Sequence, residues 1–254
     1  MAFSNIDVQK TFDDFVEDYG GVVSDRDKRQ KPRNADYIFH TARVVAELKI
    51  LSNNPHTNKE FISSLREKQR RWIERGDITR ERLKIIKVIG ELPPQCRTEI
   101  NRLYTQPIQK HVKEANRQIK STKSKDKLDG YKGLLILVSD GNFLLNPKDV
   151  FVRLERLFAN GLYSTINTVT YLTVNVLTTR PDAPAPARLW INLFRDTSRM
   201  ENEVPVSFLD DLHDKWADFF TKRTGIVLNR ISEVDESGLS ENDYLRDTEF
   251  IIPT

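Results

Sequence analysis

Asn34-Ala35-Asp36-Tyr37-Ile38-Phe39-His40-Thr41-Ala42-Arg43-Val44-Val45-Ala46-Glu47-Leu48-Lys49-Ile50-Leu51 is the stretch on which the reading of this chain turns. Two β-like runs flank the short connector Thr41-Ala42, which predicts a β-hairpin. A two-residue loop sets His40 opposite Arg43, and counting outward sets Asp36 opposite Glu47. Opposed side chains in an antiparallel pair have Cβ atoms roughly 4.5–5.5 Å apart, and like charges there repel. A cation between the acids relieves that repulsion; a different register avoids it. Strand period two puts Lys49 on the same face as Glu47, with Val44, Ala46, Leu48 and Ile50 on an opposite, apolar face.

Two carboxylates and a lysine at this spacing suit phosphodiester hydrolysis. Carboxylates can hold Mg²⁺, a hard cation that takes oxygen ligands and keeps several waters. The backbone carbonyl of Leu48, between the two active side chains, is a candidate further ligand. A lysine beside the metal can orient the attacking water or neutralise developing negative charge. The plainer alternative is an amphipathic hairpin with a surface ion pair.

These residues resemble the PD-(D/E)xK nuclease superfamily, with Asn34-Ala35-Asp36 as the first part of the motif and Glu47-Leu48-Lys49 as the second. Ala35 stands where the motif's proline would be. The resemblance covers about 120 residues, from the first helix to the strand at 133–139, and leaves out the C-terminal third. It implies an α/β fold, a mixed central sheet flanked by helices (restriction-endonuclease-like), here with a helical insertion at 56–92. It implies a nuclease cutting DNA with Mg²⁺ or Mn²⁺, in which Asp36 and Glu47 ligate the metal and Lys49 assists catalysis. It further implies two auxiliary candidates, Glu17 on the first helix and Gln118 on the helix after the motif strand, with Lys120 beside it facing phosphate. RNA stays open as a substrate, as does a homodimer.

Charge distribution points to the same partner. The net +3 conceals a division: residues 1–27 carry −5, residues 196–254 carry −8, and 28–195 hold thirty-two bases against sixteen acids. A basic middle of that size is the electrostatic footprint of a polyanion-binding protein, or else a set of solvated helix faces. Residues 59–87 have ten bases and five acids; Arg70 and Arg71 there, with Lys120 and Lys123 further on, are candidate nucleic-acid contacts.

Residues 7–19 read as a helix ended by Gly20-Gly21, and Val22-Val23 as a short strand. Helices are expected at 57–76, at 79–91 with Thr79 as N-cap, and from Pro94 to about Lys123. Ile108, Val112, Ala115 and Ile119 form one buried stripe of that last helix. A basic loop at 121–132 leads into a buried strand at 133–138. A helix at 148–159, a strand at 166–177, an edge strand at 189–194 and an amphipathic helix carrying Phe208, Leu212, Trp216, Phe219 and Phe220 complete the domain, read as one unit across 1–254. Residues 181–186 read as a proline-rich loop and 232–254 as an acidic tail.

The single cysteine, Cys96, excludes an intramolecular disulfide and a multi-cysteine zinc site. No apolar run reaches the roughly eighteen residues of a membrane span, and a cytoplasmic setting without membrane contact is expected. There is no His-Glu-x-x-His, no Gly-x-Ser-x-Gly and no phosphate loop. Beside the nuclease stand two other readings, a non-catalytic nucleic-acid-binding module and a nuclease-like scaffold for protein partners.

Overall fold

Val44–Leu51 is the third strand (β3) of a six-stranded mixed sheet in the computed structural model, which describes residues 6–24, 34–51, 58–87, 89–140, 147–159, 161–175, 188–196 and 198–226. The strands β1 (Val22–Val23), β2 (Tyr37–Phe39), β3, β4 (Lys132–Asp140), β5 (Thr168–Val174) and β6 (Trp190–Phe194) lie side by side in chain order. The pairs β3–β4 and β4–β5 are parallel, and the other three are antiparallel. The protein is therefore α/β, with an open mixed sheet flanked by helices.

The hairpin register is the one the sequence implies. Tyr37 pairs with Ala46, Ile38 with Val45 and Phe39 with Val44. Residues 40–43 form the turn, closed by the Arg43 amide donating to the His40 carbonyl at 3.1 Å. Arg43 takes the left-handed conformation (φ 55°).

Alternation along the strands sorts the two faces. Val44, Ala46 and Leu48, with Leu134, Ile136 and Val138, enter one core with α1 (Val8–Asp18) and α6 (Val206–Thr224). Trp216 of α6 anchors it, stacked on Phe12 of α1 at 4.2 Å between ring centroids. Asp7 caps α1 by accepting from the Lys10 amide, and Gly225 in the left-handed conformation ends α6. The other face carries Glu47 and Lys49 and meets the second half of α4 (Pro94–Lys125). The expected stripe Ile108, Val112, Ala115 and Ile119 is fully buried. Gly133 is required at the start of β4, since a Cβ there would lie 1.8 Å from the Thr165 carbonyl oxygen.

The sequence reading treats 1–254 as one domain; the structure divides the chain into two compact units. The first contains the sheet, α1, the second half of α4 and α6. The second contains α2 (Lys59–Glu74), α3 (Arg80–Ile85), the first half of α4 and most of α5 (Pro147–Ala159). It has its own core of Leu65, Trp72, Ile78, Leu83, Ile86, Ile89, Leu92, Cys96 and Ile100.

Three boundaries differ from the sequence reading. The helix expected over 79–91 ends at Ile85, and Ile89–Glu91 is a separate 3₁₀ turn. α4 runs through Lys125, so the first part of the expected basic loop is helical. The strand expected over 166–177 is Thr168–Val174. The segments 25–33, 52–57, 181–186 and 232–254 lie outside the described residues.

Candidate functional site

Glu47 sits in the middle of β3 with its side chain 1% exposed, an unusual place for a carboxylate. One of its oxygens, Oε1, accepts from the Lys49 ammonium at 2.5 Å. The other, Oε2, accepts from the Asp36 backbone amide at 3.1 Å. Strand alternation puts Lys49 on the Glu47 face, and its ammonium also donates to Gln118 Oε1 of α4 at 2.8 Å. Gln118 Nε2 in turn donates to the Asn34 carbonyl at 3.1 Å, so one amide joins the residues before the hairpin to the lysine after it.

Asp36 precedes β2, where the chain leaves the ladder. The Leu48 amide, which would otherwise face the absent continuation of β2, donates to Asp36 Oδ2 at 2.9 Å. The N–H and C=O of one strand residue project to the same side. The Leu48 carbonyl therefore lies on the edge of β3 that carries the Asp36 carboxylate. The chain around Asp36 is pinned by three further hydrogen bonds. The Ala35 amide donates to Thr122 Oγ1 of α4 at 2.7 Å, the Ser24 amide donates to the Asp36 carbonyl at 2.8 Å, and the Ser24 hydroxyl donates to the Ala35 carbonyl.

The electrostatics are those of a buried carboxylate with a second acid nearby and one base bonded to it. Burial, and then the Asp36 charge, push the Glu47 carboxyl up from 4.5 to about 8, against the opposing pull of Lys49. A carboxyl whose folded pKa is raised binds a proton in the folded state that the unfolded chain has lost. The contribution of Glu47 to stability therefore falls as pH rises from about 4.5 to about 8 and is level above that. Glu47→Gln is expected to remove this slope: the variant's unfolding midpoint exceeds that of the parent at pH 9, and the difference shrinks toward pH 5. Chemical denaturation of the metal-free protein at the two pH values checks it.

His111 lies two turns before Gln118 on α4, and its Nδ1 is buried with no hydrogen-bond partner among the described residues. Burial and the Lys49 charge hold its pKa below the ordinary histidine value. Thr122 and the Asn34 carbonyl are the participants that sequence reasoning missed. Spacing held a signal for Thr122 alone, since it follows Ile119 by three and extends the buried stripe.

The remaining candidates fall elsewhere. Glu17 is on the exposed side of α1; Asp13 and Asp14 of that helix are half-buried, and Asp13 accepts from the Tyr37 hydroxyl at 2.9 Å. Lys120 is exposed on α4. Lys123 belongs to the last turn of α4, where burial and the neighbouring Lys132 lower its pKa to about 8. Arg70 and Arg71 are in the second unit, in i,i+4 ion pairs with Glu74 and Glu67. Among the described residues no three His, Cys, Asp or Glu side chains cluster as a metal site, so a cation here would rest on two carboxylates and a backbone carbonyl. No described helix is long and apolar enough to cross a membrane.

No family model, curated protein or solved structure matches this chain.

Proposed function

We propose that this chain is a metal-dependent nuclease of the restriction-endonuclease-like class, hydrolysing phosphodiester bonds of DNA with Mg²⁺ or Mn²⁺. One observation carries the reading. Asp36 and Glu47 converge on the open edge of β3 beside the Leu48 backbone, with the Lys49 ammonium as the adjoining positive charge. The donor set fits a hard divalent cation, because two carboxylates and a carbonyl give three oxygens and leave positions for water. The raised pKa of Glu47 fits as well, since a nearby cation would offset what burial and Asp36 impose.

Asp36, Glu47 and the Leu48 carbonyl would hold the ion, which supplies, when bound, an acidified water and neutralisation of phosphoryl charge. Lys49 contributes a positioned ammonium that can hold a water or donate to a phosphoryl oxygen. Gln118 steers that ammonium, being itself fixed by the Asn34 carbonyl. The basic central segment supplies attraction for the phosphate backbone.

Incubated with supercoiled DNA and Mg²⁺ or Mn²⁺, the protein is expected to nick or linearise it, and excess EDTA to stop the reaction. Uncut DNA with both metals would overturn the assignment. A second reading, a non-catalytic nucleic-acid-binding module, is favoured by the protein's own hydrogen bonds to these groups: the Leu48 amide to Asp36, and the Asp36 amide and Lys49 ammonium to Glu47. It calls for DNA binding without cleavage in the same tubes.

A further inference from the structure

We infer that Arg80–Lys87, the segment built on α3, is a docking surface for the phosphate backbone of duplex DNA, distinct from the residues assigned to cleavage. Four basic residues on and just after α2 face carboxylates of the same unit. Arg71 is bonded to Glu67, Arg70 lies 3.7 Å from Glu74, and Arg75 contacts both Asp77 and Glu99. Lys68 also lies near Glu99, 3.7 Å away.

The α3 segment is different. Arg80, Arg82, Lys84 and Lys87 are all exposed, and none is paired with a carboxylate among the described residues. Glu81 is the only acid between 80 and 87, and the nearby Glu91 carboxylate accepts from the Lys87 backbone amide rather than its ammonium.

The segment is also held in place. Thr79 caps α3 through the Arg82 amide, and Leu83 and Ile86 are buried in the core of the helical unit. Its apolar side is thus committed inward and its outer side left to cations. Ile85 is the only exposed large apolar residue there, at 62%, too little for insertion into a lipid surface or an apolar protein interface. Spaced, anchored cations without acidic partners are what sequence-independent contact with phosphates requires. The choice of DNA over another polyanion rests on the nuclease reading of the Asp36–Glu47–Lys49 site.

The test is fluorescence anisotropy of a labelled duplex with the full chain in EDTA, across a range of salt. The triple variant Arg82→Gln/Lys84→Gln/Lys87→Gln should bind at least about tenfold more weakly at low salt. The slope of log K against log salt should fall by about 2 to 3, since each phosphate contact contributes roughly 0.9. Arg70→Gln/Arg71→Gln also removes positive charge but should keep the parental slope. An unchanged slope in the triple variant, or the same loss per charge in both variants, overturns the inference. So does tighter binding of single-stranded RNA than of duplex. An unchanged thermal midpoint shows that the triple variant is folded. If the parent protein binds DNA through this segment but never cuts it, the nuclease reading fails and the docking surface stands.

Discussion

Asp36→Asn is expected to lower metal-dependent DNA cleavage more than about 100-fold, since removing a group that merely hydrogen-bonds to a metal ligand already costs about 10- to 100-fold. The substitution suits the site's geometry. Asp36 Oδ2 accepts from the Leu48 amide, and an asparagine oxygen can accept the same bond, so the edge of β3 keeps its partner. The backbone amide of residue 36 still donates to Glu47 Oε2, and the contacts from Thr122 and Ser24 do not involve the side chain. Among the described contacts, what is lost is the charge. The metal-free protein offers a second readout: the Asp36 charge is, after burial, the next cause raising the Glu47 pKa, so Glu47 should titrate below about 8 in the variant. Cleavage assays with Mg²⁺, Mn²⁺ titration and NMR titration of Glu47 check the three effects. An unchanged cleavage rate with a lowered Glu47 pKa would show that the two carboxylates interact but do not hold a catalytic ion.

Much of this site was legible because a hairpin turn fixes its whole register. Once Thr41-Ala42 is taken as the tip, residues whose numbers sum to 83 face each other, and the observed pairs Tyr37–Ala46 and Phe39–Val44 obey that rule. The alternation that placed Val44, Ala46 and Leu48 in a core and Glu47 with Lys49 on the other side followed without further assumption. The final direction of the Asp36 carboxylate did not. It turns to the Leu48 amide because β2 stops at Tyr37, and that reflects bonds from Ser24 and Thr122, far along the chain.

Gln118 shows the same boundary between local and tertiary information. Helical spacing located it on the flank of the buried stripe, but only the packing of α4 on the sheet brings its amide to Lys49. The helix itself outran the reading because Ser121–Lys125 offers no apolar residue to mark its last turn. Thr122, fully buried, takes that place by bonding the Ala35 amide. On α1 the buried residues Phe12, Phe15 and Val16 leave Glu17 on the solvent side. Charge composition likewise could not separate Arg70 and Arg71 of α2, paired with carboxylates one turn away, from the cations of α3, which form no ion pair among the described residues.

Lys49→Ala is expected to abolish cleavage, by more than about 100-fold, the order found when a group stabilising transition-state charge is removed. DNA affinity should change little. The basic middle of the chain holds thirty-two bases, and losing one removes at most about one phosphate contact from the salt slope. The fold should survive because the partner left behind can neutralise itself. Glu47 already has a raised pKa with Lys49 beside it, and without that ammonium the pKa rises further, so the carboxyl is held protonated at neutral pH. That escape avoids the cost, about 3–5 kcal/mol, of leaving an unpaired charge in a buried site. Gln118 Oε1 loses its donor but lies beside the space the lysine vacates, which water can enter. Cleavage and anisotropy measured on one preparation separate the roles. Binding retained with cleavage lost assigns Lys49 to the chemical step. Parallel loss of both would make it a plain phosphate contact and leave the site without its catalytic cation.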